Sequence, residues 1–393
     1  MASRRISRKW CDLPSELLNH IAGSLETQCD LRRFRSVCRS WRNSTLPPPP
    51  PKPSRTIYLP PFWDDGKDEY SPKIELKETS VYCIESLPST THHHHQEGAA
   101  AAAARPWFVR LRFTESGTAV HEDLATGHPV LKETHKRELR KVLDLRDFQV
   151  REICKAYHLW VESDEYFIVS YCFVETEDGS LMGMVLGDKV TYSLFWKMGD
   201  DHWTGIDITQ DGTLLDELVG YHKGRFFVVS LSGLTHSVDP VSLEVNQVGV
   251  AAIQWFPGRK YLVGWSGDLF LVDKRGPEDF DEELDFEFEF KVRKLDEQQQ
   301  EWVGGEDGLE DLVLFIAYGW SAFVPAKHLP GYGSRCVYYA DVDFIDRCYH
   351  PASCFMVSEM GGGLHEALQL CPGSSCSNLF WPPPNWLDKN PLV

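Results

Sequence analysis

The chain has 393 residues, 42% of them hydrophobic and 12% aromatic, a globular composition with room for two or three domains. No apolar run approaches the roughly 18 residues of a membrane span. The formal charge of −18 repels phosphate backbones, so neither a membrane nor nucleic acid is expected as a partner.

The charge is uneven. Residues 1–45 hold nine Lys and Arg against four acids, a net of +5, which leaves −23 on the remainder. A body that acidic favours a basic patch on a partner protein. The opening MASRRISRKW is basic with no apolar core behind it, so it does not read as a secretory signal. Eleven cysteines show no regular framework, and the expectation is reduced thiols in the cytoplasm, the nucleus or both.

The first element follows at once. Pro14 sits where a helix begins, and Leu17, Leu18, Ile21 and Leu25 recur at helical spacing to make one apolar stripe. After the polar break Glu26-Thr27-Gln28, a second set follows at threes and fours: Leu31, Phe34, Val37, Cys38 and Trp41. Two or three short helices leave too much apolar surface wet to be stable alone, so this face needs a partner. Leu13-Pro14, Glu16-Leu17-Leu18, Ile21, Leu25, Asp30-Leu31, Arg33, Val37-Cys38-Arg39 and Trp41-Arg42 together resemble an F-box. The resemblance implies a three-helix module that docks onto the Skp-type adaptor, and through it a cullin, in an SCF ubiquitin ligase. Leu13, Pro14, Leu17, Leu18, Ile21, Val37 and Trp41 are then the expected adaptor-binding residues.

Residues 46–56, LPPPPPKPSRT, favour extended polyproline geometry and read as a semi-rigid spacer. Residues 88–106 hold four histidines, His92 to His95, and six alanines, Ala99 to Ala104, and read as a low-complexity loop insertion.

From residue 107 the pattern is mostly short strands, rich in β-branched and aromatic residues and ended by Gly, Asp, Asn or Pro. The candidates are 108–113, 166–174, 181–186, 191–196, 226–231, 261–265, 269–272, 286–292, 313–316 and 336–340, with one helix near 132–143. An internal repeat helps to choose an architecture. GRFFVVSLSGLTHSVD (224–239) aligns without a gap on 258–273, and seven of the sixteen positions are identical, among them Gly224/Gly258, Ser232/Ser266, Gly233/Gly267 and Asp239/Asp273. Ser116-Gly117, with Asp123 six residues after the glycine, is a third copy of the tail. Each copy reads as strand, Ser-Gly turn, strand, then Asp closing the next turn. Two more hairpin signals run from Trp196 to Trp203 and from Lys294 to Trp302. Repeated hairpins fit blades around a channel.

The segments Asp201–Thr204, Tyr221–Phe227, Tyr261–Val263, Cys336–Asp341 and Trp381–Trp386 resemble a large plant group of F-box proteins. Its C-terminal domain, of no assigned function, is thought to be propeller-like. The chain departs from that group in the His/Ala insertion and in the acidic stretch 278–289, where eight of twelve residues are Asp or Glu. The expected architecture is therefore a small all-α F-box module (1–45, core 10–42), a proline-rich linker (46–56) and a mostly-β, propeller-like domain (57–390).

Chemistry is sparse. There is no nucleophile elbow, phosphate loop or HExxH, and Gly361-Gly362-Gly363 lacks a following Lys-Ser/Thr. Cys348, His350, Cys354, Cys371 and Cys376 do not match a zinc spacing, so neither metal nor cofactor is expected. Asp200/Asp201 and Asp341/Asp343 read as solvated strand ends rather than as an acid–base pair. In the acidic stretch, Phe286 to Phe290 alternates aromatic and acid like a half-buried edge strand. Its outward acids, taken with their neighbours as Glu282, Glu283, Glu287 and Glu289, are candidates for steering a basic target. The expected function is a non-catalytic substrate receptor of an SCF-type ubiquitin ligase, with an unidentified target protein. The alternative is a ligand- or sugar-binding propeller acting outside a ligase, and a weaker third reading is a propeller hydrolase.

Overall fold

The structure is a computed structural model that describes residues 10, 13–25, 28–46, 52–62, 73–86, 106–116, 119–122, 124, 127, 148–162, 168–187, 193–208, 216–230, 233–250, 260–275, 289–305, 307–317, 319–329, 332–340 and 355–360. The expected helix near 132–143 and nearly all of the 88–106 insertion lie outside the described residues.

Three helices come first: α1 (Ser15–Gly23), α2 (Gln28–Ser36) and α3 (Arg39–Asn43). Pro14 is the N-cap of α1, where its missing amide hydrogen costs nothing, and its carbonyl accepts from the Leu18 amide at 3.1 Å.

Every regular element described beyond Leu46 is a strand, apart from one 3₁₀ turn at Ala326–His328. The first blade holds β1 (Thr56–Leu59), β2 (Ile74–Ser86), β3 (Trp107–Phe113), β4 (Ala119–Glu122) and β5 (Phe148–Val161). β2 and β5 pair along their whole length, from Ile74↔Val161 to Ser86↔Phe148. β1 and β3 share the other edge of β2. The second blade is β6 (Ile168–Glu175), β7 (Leu181–Gly187), β8 (Ser193–Lys197) and β9 (Thr204–Ile206), in that order. The third is β10 (Asp216–His222), β11 (Arg225–Ser230), β12 (Leu234–Val238) and β13 (Val245–Val250). The fourth is β14 (Lys260–Trp265), β15 (Asp268–Arg275), β16 (Glu289–Asp296) and β17 (Glu301–Gly304). A single parallel pairing, Val250↔Glu301, joins the outer strands of these two blades into one eight-stranded sheet. The fifth blade is β18 (Leu312–Ala317), β19 (Trp320–Pro325), β20 (Cys336–Ala340) and β21 (Phe355–Glu359), with order β19-β18-β20-β21.

The core explains why five sheets close on each other. Each of five apolar clusters fills the gap between two successive blades. Side chains alternate across a strand, so one strand feeds two gaps. In β11, Phe226 and Val228 face the second blade while Phe227 and Val229 face the fourth. In β18, Val313 and Phe315 join the cluster shared with the first blade, and Leu312, Leu314 and Ile316 join the one shared with the fourth. Strands covered on both faces read as unbroken apolar runs, which is why FFVV and LVLFI show no polar alternation. The cluster between fifth and first blades closes the ring, and the mostly-β domain is a five-bladed propeller. Strands β6, β10, β14, β19 and β5 make the contacts from blade to blade, which sets them nearest the axis.

The internal repeat maps onto two hairpins, β11–β12 and β14–β15, but not at the same register. β14 and β15 join through the two residues Ser266 and Gly267, both at positive φ. The β11–β12 pairing places Phe226 opposite Val238, whereas its repeat counterpart Lys260 lies opposite Asp273, so the first hairpin spans one residue fewer between its paired strands. That difference shifts everything downstream by one. Asp239 lies past the end of β12 and accepts from the Val241 and Ser242 amides, capping the turn as its sequence suggests. Asp273, its repeat partner, lies inside β15 opposite Lys260 and is 4% exposed, with Arg293 at 3.7 Å. The turn-closing role expected for Asp273 is therefore corrected. Gly117 and Asp123 of the third copy lie outside the described residues. The tryptophan-ended hairpins are present: Trp196 and Trp203 meet at 6.3 Å across β8–β9, and Leu295 pairs with Trp302 across β16–β17.

Candidate functional site

The helical module keeps a very small interior. Leu18 is 1% and Phe34 5% exposed. Trp41 lies against Phe34 with ring centroids 4.6 Å apart, and its Nε1 donates to the Trp10 carbonyl at 3.0 Å. Arg35 ties the end of α2 to the end of α3 through the Arg42 carbonyl, 2.8 Å, and the Thr45 carbonyl. Several other apolar side chains face outward. Leu17 is 52%, Ile21 38% and Val37 57% exposed. Leu17 and Ile21 lie one turn apart, so they share a face of α1. Pro14 is exposed, and Leu13 and Trp41 are half-buried. Leu18 differs from the other residues of the expected set: it belongs to the module's interior, not to its open surface. Trp10, exposed at 75%, was missed as a contact, although the apolar-without-cover signal that marked Leu17 applies to it equally.

The residues after the proline run are not a bare spacer. The Ser54 amide donates to the Phe113 carbonyl at 2.8 Å, and the Phe113 amide returns a bond to Ser54 Oγ at 2.9 Å. Arg55 lies between the first two blades. Its Nε is 3.3 Å from Glu78 of β2, its Nη1 donates to the Gly179 carbonyl at 2.9 Å, and its Nη2 pairs with Glu175 at the end of β6. Lys155 of β5 completes the cluster with Nζ 2.8 Å from Glu78. Burial pulls the Lys155 ammonium down, but the bond and charge of Glu78 outweigh it and hold its pKa above the usual lysine value. Burial raises the Tyr157 phenol in turn, and the Glu78 and Glu175 carboxylates push it the same way. A cleft of about 630 Å³ opens beside this cluster, lined by Lys52, Lys155, Tyr157, Phe173 and the turn from Glu175 to Gly179.

Glu282, Glu283 and Glu287 lie outside the described residues. Glu289 opens β16, where its backbone pairs with Arg275. Phe290, next in the alternation, is fully buried and 4.8 Å from the Tyr339 ring, as an inward aromatic should be. Asp200 accepts from the Lys197 amide and closes the β8–β9 turn, and Asp201 pairs with exposed His202. Among the described residues no three His, Cys, Asp or Glu gather as a metal site. Cys348, His350, Cys354, Cys371 and Cys376 are outside them, as are Asp341, Asp343 and 361–363.

Residues 10–47 match the F-box-like family and residues 74–363 match the KIB1-4 beta-propeller family. The chain is 26% identical to F-box protein At2g17036 of Arabidopsis thaliana, covering 96% of this chain and 94% of that one. It is 27% identical to F-box protein SKIP23 of the same plant, covering 97% and 96%. An Arabidopsis F-box/kelch-repeat protein, At1g64840, is 26% identical over 82% of this chain and 80% of its own. Among solved structures, a GH43 β-1,3-galactosidase with galactodeoxynojirimycin is similar over 64% of this chain and 75% of its own, at 12% identity and a TM-score of 0.27. That likeness carries no argument about function. With an F-box-like module at its N-terminus and the larger match filling most of the rest, the chain belongs to the KIB1-4 beta-propeller family, as a plant F-box protein.

Proposed function

We propose that the chain is the substrate-recognition subunit of an SCF-type, cullin-RING ubiquitin ligase. The F-box module binds a Skp-type adaptor, and through it a cullin, while the propeller holds a target protein. The observation that carries this reading is the module itself: Leu17, Ile21, Val37 and Trp10 stand open to solvent around an interior of little more than Leu18 and Phe34. Uncovered apolar side chains on so small a unit mark a surface meant for another protein.

The mechanism is proximity. One end binds the ligase core, the other holds the target near a charged conjugating enzyme, and the raised effective concentration drives transfer without a catalytic group on this chain. Leu13, Pro14, Leu17, Ile21 and Val37 contact the adaptor in this reading, with Leu18 and Trp41 supporting them from beneath. Glu282, Glu283, Glu287 and Glu289 steer a basic target. The compartment is the cytoplasm or nucleus, consistent with the free thiols among the described residues. Co-purification with a Skp-type adaptor tests the assignment. Capture by the full chain, lost when Leu13 and Pro14 become alanine, supports it. Failure of the unaltered chain to bind any such adaptor sinks it and returns the ligand-binding alternative. Affinity purification with the proteasome blocked then identifies the target.

A further inference from the structure

The F-box module and the strap that follows it are held to the propeller at two separate places, the module on the first blade and the strap between the first blade and the second. In α2, Arg33 donates through Nη2 to the Phe148 carbonyl at 2.5 Å, and α2 packs beside β5 there. Phe148 is a fixed target: its backbone pairs with Ser86, and its ring meets Trp107 edge-on at 5.6 Å. A guanidinium bonded to a carbonyl held this firmly is stronger than a neutral hydrogen bond. The second place is Arg55, seated between Glu78, Glu175 and the Gly179 carbonyl. Glu78 pairs in register with Tyr157, nine residues along β5 from Phe148. At about 3.3 Å per residue the two grips are roughly 30 Å apart along one strand.

We infer that Arg33 clamps the F-box module to the first blade while Arg55 pins the far end of the strap, so that the surface offered to an adaptor and the surface offered to a target keep one fixed separation and orientation. The proline run is then a strap between two anchors and not a hinge. A module held only by a tether sweeps a volume set by tether length. One held at a second point does not, and longer tethers change nothing. This inference concerns the chain by itself, so it stands or falls independently of adaptor binding.

The test uses the full chain with spin-labelled unnatural amino acids at two exposed positions, Asn43 in α3 and Val241 in the third-blade turn. The unaltered chain is expected to give one narrow distance distribution. Inserting ten Gly/Ser residues after Pro51 should leave it narrow and unmoved, while Arg33→Ala should broaden it at least twofold. A distribution already broad in the unaltered chain overturns the clamp, as does one that widens with the insertion alone or stays narrow in folded Arg33→Ala. If Arg33→Ala unfolds the module, the insertion still decides between clamp and tether.

Discussion

Leu17 and Leu18 are neighbours in the chain and opposites in burial, 52% against 1% exposed. The helix turns about 100° between them, enough to send one side chain outward and the other into the module's interior. Their alanine variants should therefore fail in different ways. Leu17→Ala, like the Leu13→Ala/Pro14→Ala pair, should leave thermal unfolding unchanged and weaken adaptor binding by about 2 kcal/mol, roughly 30-fold. Leu18→Ala should destabilise the module by about 2–5 kcal/mol before any partner is added. Calorimetric titration beside a melting curve separates the two.

The propeller should tolerate removal of the F-box only if the cut respects Ser54 and Arg55. A chain beginning at Lys52 should fold with near-normal stability, and one beginning at Ile57 should not. Arg55→Met in the full chain should cost about 1–3 kcal/mol, because Glu78, 5% exposed, would keep only Lys155 as ion partner among the described residues. Equal melting temperatures for the two truncations would show that the strap contributes nothing.

Gly319 closes the fifth blade against the first. It has φ +77, and a Cβ there would lie 2.3 Å from the Tyr157 carbonyl oxygen. Gly319→Ala should destabilise by about 2–4 kcal/mol from overpacking and a strained φ together. Denaturant unfolding measures it, and a loss under 1 kcal/mol would show that the blades are free to part.

Alkali should weaken the fold through its buried thiols. Burial pushes Cys83 up to about 12, against roughly 8.5 in an unfolded chain. Above 8.5 the unfolded state gives up this proton and the folded state keeps it. The stability is whole below that pH and drains away as pH rises toward 12, on the order of 2 kcal/mol by pH 10. Cys83→Ala should flatten that part of the pH profile in thermal melts between pH 8 and 10.5.

Replacing Glu282, Glu283, Glu287 and Glu289 by glutamine should slow association with the target and remove its salt dependence while adaptor binding stays the same. Stopped-flow rates at two ionic strengths decide it, and unchanged rates would leave these acids as edge-strand protection.

How much of this was legible beforehand depends on how local the signal is. The three helices could be read because Pro14 and the spacing of Leu17, Leu18, Ile21 and Phe34 are written within 33 residues. Strands 181–187, 225–230 and 312–317 could be read because both faces are buried and the run is unbroken. The long β2 and β5 could not: ETSVYCIES and FQVREICKAYHLWV mix Glu, Lys and Arg into positions whose partners across the pair lie more than 60 residues away. Glu78 is buried only because Lys155 and Arg55 come to it from distant parts of the chain. The Arg33–Phe148 contact is invisible for the same reason, since nothing near either residue announces the other. Leu18 and Leu17 carry the same letter, and only the placement of Phe34 and Trp41 tells which is inside.

The one-residue difference in register between the β11–β12 and β14–β15 hairpins has a consequence for how this domain can change. The two hairpins still look like copies when their letters are aligned, yet the shared aspartate is a turn cap at 239 and a buried charge at 273. A substitution harmless in one copy is therefore no guide to the other: Asp239→Asn keeps an acceptor at the surface, whereas Asp273→Asn removes the charge facing Lys260 and Arg293. After such a slip each copy answers to different neighbours, and the blades of one ring evolve as separate sites under a common spelling.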